Sequence, residues 1–161
     1  MMIRLIDILK EIFDGSDIEY DVEDLSNGKT YKFDFSEQIY CVYFSKDKNY
    51  DDEYHVYDVT FARKNDITNK WEYCLLSDKK TSAIRIFGII VNIIKEFLNN
   101  KDVWYLSFSA REKKRMKLYK SMIDKLKDSI GLEDFSGQDW VVKTKYAGYP
   151  FMLGKKNIKS N

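Results

Sequence analysis

The chain has 161 residues, 44% of them hydrophobic and 33% charged, with a formal net charge of +1. That is the make-up of one globular domain, able to bury roughly 68–70% of its unfolded surface without covalent staples. It excludes a membrane-spanning helix, because the longest apolar run, Ile86–Val91, falls far below the ~20 residues needed, and one His with two Cys leaves a zinc site without a ligand set.

Met1 to Gly15 reads as a helix with Ile3, Ile6, Leu9 and Phe13 near one face. Asp7 and Glu11 interrupt its apolar run, and no small-residue cleavage site follows, so it does not read as a secretory signal. Ile18 to Val22 is a candidate short strand, and Leu25-Ser26-Asn27-Gly28 a turn. Lys29 to Phe35 alternates, with Tyr31, Phe33 and Phe35 on one face. Gln38 to Ser45 is apolar on both faces, which predicts a central strand. After a polar loop from Lys46 to Asp52, Glu53 to Arg63 predicts a long strand with His55, Tyr57, Val59 and Phe61 on one side. Lys70 to Leu76 is its hairpin partner across the turn Lys64–Asn69. Cys41 and Cys74 fall in predicted strands as small apolar residues, and no disulfide between them is expected.

From Thr81 the period changes from two to that of a helix. Ile84, Phe87, Val91, Ile94 and Leu98 form a stripe that Ile90, Ile93 and Phe97 widen, ending at Asn99-Asn100. Thr81 or Ser82 is the expected N-cap, since either hydroxyl can accept a backbone N–H. Val103 to Ser109 is a strand between this helix and a second one, whose stripe carries Met116, Tyr119, Ile123 and Leu126 and which Gly131 closes. A strand between two helices is a crossover unit, expected in the middle of a sheet. Trp140–Lys145 and Tyr149–Leu153 predict a last hairpin around Ala147-Gly148. The domain is expected to run from 1 to 154, with a frayed polar tail at 155–161.

Charge is unevenly spread. Residues 1–60 hold 15 acids and 6 bases, and residues 61–161 hold 11 acids and 21 bases. The simplest reading is two halves that fold together and neutralise. A sharper one is an anion-holding face on the run Arg111 to Lys120 and the C-terminal lysines.

The order helix, antiparallel strands, helix, strand, helix, strand resembles the GCN5-related N-acetyltransferase (GNAT) fold. So do the steps Thr81-Ser82-Ala83-Ile84-Arg85-Ile86-Phe87, Phe108-Ser109-Ala110 and Arg115-Met116-Lys117-Leu118-Tyr119. More narrowly, they resemble GNAT-like proteins of tailed phages, over about residues 30–150. The resemblance implies an α+β fold: a mostly antiparallel mixed sheet with an N-terminal helix and two helices flanking a crossover strand. It implies acetyl-CoA lying where the strand ending near Leu76 splays from the strand at Val103. The pyrophosphate would rest on the helix start, Thr81, Ser82, Ala83 and Ile84, with Lys79, Lys80 and Arg115 supplying charge. Tyr119 matches the phenol that protonates the departing thiolate. Glu72 or Asp58 would take the proton of an amine-bearing acceptor, and the sequence does not choose between them.

The phosphate loop departs from the family pattern Gln/Arg-x-x-Gly-x-Gly/Ala. Here it reads Asp78-x-x-Thr81-x-Ala83. Two readings therefore stand together. One is an acyl-CoA-dependent N-acyltransferase with a degenerate phosphate loop. The other is a non-catalytic GNAT-fold phage protein that binds a phage or host protein, as a virion part or in the host cytoplasm. Nucleic acid is the weakest partner, because net charge is near zero and no recognised motif is present.

Overall fold

A computed structural model describes residues 19–35, 37–73, 80–108, 113–142 and 151–156, with side chains omitted at 72–73, 80–84, 113–119 and 121–122. The predicted N-terminal helix, Cys74 and the Ala147-Gly148 turn lie outside these residues. The architecture is α+β. Strands β1 (Asp21–Leu25), β2 (Gly28–Phe35), β3 (Gln38–Lys46), β4 (Val56–Lys64) and β5 (Trp71–Tyr73) precede helix α1 (Lys80–Leu98). Strand β6 (Tyr105–Phe108), helix α2 (Lys113–Ile130), β7 (Glu133–Asp134) and β8 (Phe151–Gly154) follow. Seven strands form one mixed sheet in the order β1-β2-β3-β4-β6-β8-β7, and β5 pairs with β4 off that path.

The β1–β4 meander follows from alternation. Leu25 pairs with Gly28 across Ser26-Asn27, as the turn signal predicts. Gly28 is required there: a β-carbon would sit 1.8 Å from the Phe44 carbonyl oxygen. The inward residues Tyr31, Phe33, Val42, Phe44, Val59 and Phe61 are all at most 3% exposed. They meet Ile86, Ile90, Ile93, Ile94 and Phe97 of α1 in one core, joined by Ile123 and Leu126 of α2. Phe44 and Phe97 stack with centroids 3.9 Å apart. Each such side chain contributes about 1.5–3 kcal/mol by leaving water. Tyr20, just before β1, donates its hydroxyl to Glu96 of α1 and ties the sheet edge to the helix. At the end of α2, Gly131 adopts φ 79°, and the N–H groups of Gly131 and Leu132 both close on the Lys127 carbonyl. No helix among the described residues is long and apolar enough to cross a membrane.

Five expectations need correcting. The strand predicted from Glu53 begins only at Val56. Asp52–Tyr54 is a 3-10 turn, ended by His55 in the left-handed region (φ 52°, ψ 49°), whose carbonyl then receives the N–H groups of Trp104 and Tyr105. The first strand starts at Asp21 rather than Ile18. Helix α1 opens at Lys80, so Thr81 and Ser82 lie inside its first turn and cannot cap it from outside. Trp140–Val142 is not a strand. Trp140 stacks on the Tyr54 ring, Val141 is buried, and the Val142 N–H donates to Tyr50 Oη, so this segment plugs the sheet while β7 pairs with β8. Lys155 is not frayed: its N–H bonds Trp104 O and its Nζ bonds Asn100 O.

The crossover strand lies beside β4. β6 runs parallel to β4 over Val56–Asp58, whereas β5 pairs antiparallel with Ala62–Lys64 of the same strand. Val59–Phe61 lies between the two ladders.

Candidate functional site: a two-carboxylate cleft on the open face of the sheet

Successive residues of a strand point to opposite faces. The face of β4 and β6 that turns away from the helices carries Val56, Asp58, Thr60, Tyr105 and Ser107. At one end it is roofed: Val56, Tyr105, Val141 and Met152 form a second small core with Trp104, Phe135 and Trp140 packed on it. Beside this roof lies an open cleft of about 410 Å³ lined by Tyr43, Lys46, Asp47, Tyr50, Asp58 and Ser107, among others.

Sheet register builds its floor. Ser45 pairs with Asp58, and Asp58 pairs with Ser107, so three polar side chains stand in one row across β3, β4 and β6. Asp47 arrives from the loop after β3, held by its own N–H donating to Val56 O at 2.9 Å. Its Oδ1 accepts the N–H and the side-chain amide of Asn49, each at 3.0 Å. Its other oxygen, Oδ2, accepts Ser107 Oγ at 2.7 Å. Ser107 Oγ also lies 3.4 Å from Asp58 Oδ1, and Thr60 Oγ1 lies 3.3 Å from Asp58 Oδ2.

A carboxyl in such a place resists ionisation. Burial pushes Asp58 up to about 7, and the neighbouring Asp47 adds to the rise; hydrogen bonds from Thr60 and Ser107 oppose it. Asp58 therefore divides between acid and carboxylate near neutral pH, the condition that suits a general base. Burial likewise raises the Tyr50 phenol, against the opposing bond from Val142. Among the described residues no group of three or more His, Cys, Asp or Glu side chains is placed to hold a metal ion.

The residues singled out from the sequence fall elsewhere. The backbone of Lys80, Thr81, Ser82, Ala83 and Ile84 forms the first turn of α1. Arg115 and Tyr119 lie in the first half of α2. Glu72 sits on β5 opposite Arg63, five residues along β4 from Asp58, or about 16 Å at strand rise. Lys79 and the side chains of the others are outside the described residues. Of the two candidate proton acceptors, the structure brings Asp58 into a cleft beside the parallel β4–β6 contact. Sequence reading named Asp58 beside Glu72 through the family resemblance, but missed Asp47 and Ser107. Ser107 sits in an apolar strand and Asp47 in a polar loop, and neither carries a local signal.

Fold and cleft together define an α+β protein with a polar, acid-floored site on the face of a mixed sheet that turns away from α1 and α2. The chain matches no known protein family, no curated protein and no solved structure.

Proposed function

We propose that this chain is a GNAT-like, acyl-CoA-dependent N-acyltransferase in which Asp58 is the general base for an amine acceptor. One observation carries the reading. The only parallel contact between described strands, β4 with β6, is joined through α1 at the middle of an otherwise antiparallel sheet, and a carboxyl of raised pKa stands in that contact facing a cleft. The parting of the two ladders at Val59–Phe61 supports an acyl-CoA position there rather than beside the strand near Leu76.

The opening turn of α1 supports the phosphate role. A helix start carries N–H donors without intrahelical partners and the positive end of the dipole, which suits a pyrophosphate. Lys79, Lys80 and Arg115 are the cations assigned to it. The bound thioester supplies an activated acyl carbon. On the protein's side, an amine must lose a proton to complete the attack, and Asp58 receives it. Tyr119 returns a proton to the leaving sulfur. Asp58→Asn removes the acceptor without changing shape. It should lower kcat by about 10²–10⁴-fold while leaving acetyl-CoA affinity intact. Thiol release unchanged in Asp58→Asn would remove Asp58 from the mechanism.

Thr81, in place of the glycine of the phosphate loop, favours a second reading: a GNAT-fold protein that works by contact with a phage or host protein. Such a protein binds no acyl-CoA.

A further inference from the structure

Two carboxyl groups reach one hydroxyl, and the nearer one, Asp47, raises the other, Asp58. Ser107 is 1% exposed and has one proton to donate. Its 2.7 Å contact with Asp47 is the short, charge-assisted one, and its 3.4 Å contact with Asp58 is the loose one. When Asp58 is protonated, the hydroxyl hydrogen is directed at Asp47, and the lone pairs of Ser107 Oγ are left for the proton on Asp58. The result is a chain, Asp58 to Ser107 to Asp47, running from the floor of the cleft to a loop at its wall.

We propose that Ser107 is a positioning residue that joins Asp58 and Asp47 into one proton relay, through which a proton taken up at Asp58 leaves to the cleft by way of Asp47. The inference rests on the acyltransferase reading only for the source of that proton. In the full step the Asp58 carboxylate takes the N–H proton as the new N–C bond forms and the thioester C–S bond breaks, the sulfur leaving with a proton from Tyr119, which regains one from water. Asp58 then passes its proton to Ser107 Oγ while Ser107 gives its own to Asp47. Asp47 releases a proton to water, and Asp58 is again a carboxylate. The other titratable groups lining the cleft are Tyr43 and Lys46 of β3 and Lys48 and Tyr50 of the loop. Lys46 is already bridged to Asp52 at 2.8 Å. Among the described residues, β6 brings only Ser107, and the segment after α2 brings only Val142.

The test is carbon-detected NMR titration of the aspartate carboxyls in the full chain, comparing wild type, Asp47→Asn, Ser107→Ala and Ser107→Thr. The relay predicts that Asp58 titrates lower by about one pH unit or more in Asp47→Asn, because the like charge across the serine is gone. In Ser107→Ala, Asp58 loses the hydrogen bond that opposes its rise and titrates higher, and Ser107→Thr restores the wild-type curve. Thr keeps the hydroxyl and suits a strand. Amide spectra identify any variant that fails to fold, and Asp47→Asn, altering a loop residue, keeps the test decisive.

An Asp58 midpoint that is the same in wild type and Asp47→Asn overturns the proposal. So do Ser107→Ala and Ser107→Thr curves that coincide. Acyl transfer measured alongside separates the two claims. Coupled carboxyls in a protein that transfers no acyl group to any amine end the acyltransferase reading and leave the relay. Transfer with uncoupled carboxyls does the reverse.

Discussion

Replacing Asp58 with Asn tests the site without any ligand. In the folded protein the Asp58 carboxyl is held up to about 7, against an ordinary 3.8. Between those values the folded state keeps a proton that the unfolded chain has released. Stability is therefore full below about pH 4, is lost as pH rises toward 7, and is level above it. A rise of about 3 units corresponds to about 4 kcal/mol at 1.36 kcal/mol per unit. Water in the cleft screens part of this, so about 2–4 kcal/mol is expected. Asn has the shape of the protonated acid and never ionises. Urea unfolding followed by circular dichroism should find Asp58→Asn close to wild type near pH 3 and about 2–4 kcal/mol more stable near pH 8, at equal m-value. A difference that does not grow with pH, or a variant less stable than wild type at the higher pH, refutes a raised Asp58.

Phe44→Ala removes a fully buried ring stacked on Phe97 and should cost about 3–5 kcal/mol, a Tm loss on the order of 10 °C by calorimetry. Gly28→Ala puts a β-carbon 1.8 Å from the Phe44 carbonyl, so the β2–β3 ladder must shift. A loss of about 3 kcal/mol or more in denaturant unfolding is expected, and a loss below about 0.5 kcal/mol would contradict this contact. Tyr119→Phe should cut turnover while leaving acetyl-CoA affinity nearly unchanged. Equal loss of both in kinetics and calorimetry would make Tyr119 a packing residue.

What the sequence disclosed depended on period. Strands β2 and β3 and both helices carry long, regular apolar patterns, and each was legible to within a few residues. The central place of β3 follows from apolar side chains on both its faces. Elements set by tertiary contacts were not legible. His55 alternates with Tyr57 as a strand residue should. It leaves the strand because its left-handed backbone closes a 3-10 turn and its carbonyl receives the start of β6. Trp140–Val142 has strand composition, yet its aromatic ring finds Tyr54 and Tyr105, and the chain turns inward. The two-residue β7 has no pattern to read. The site divides the same way. Asp58 was named, beside Glu72, through the family resemblance. Its coupling to Asp47 depends on a register that brings β3, β4 and β6 into one row, and one-residue register is invisible in local sequence.

The measurement that bears most directly on the acyltransferase reading is a thermal melt of the full chain with and without acetyl-CoA at millimolar concentration, with adenosine as control. A ligand at about 100 times its Kd adds roughly 2.7 kcal/mol to the folded state. For a domain of this size, that is a rise of about 5–10 °C. The account predicts this rise with acetyl-CoA and none with adenosine. An unchanged melt would contradict acyl-CoA binding and leave the protein to act by contact with a partner.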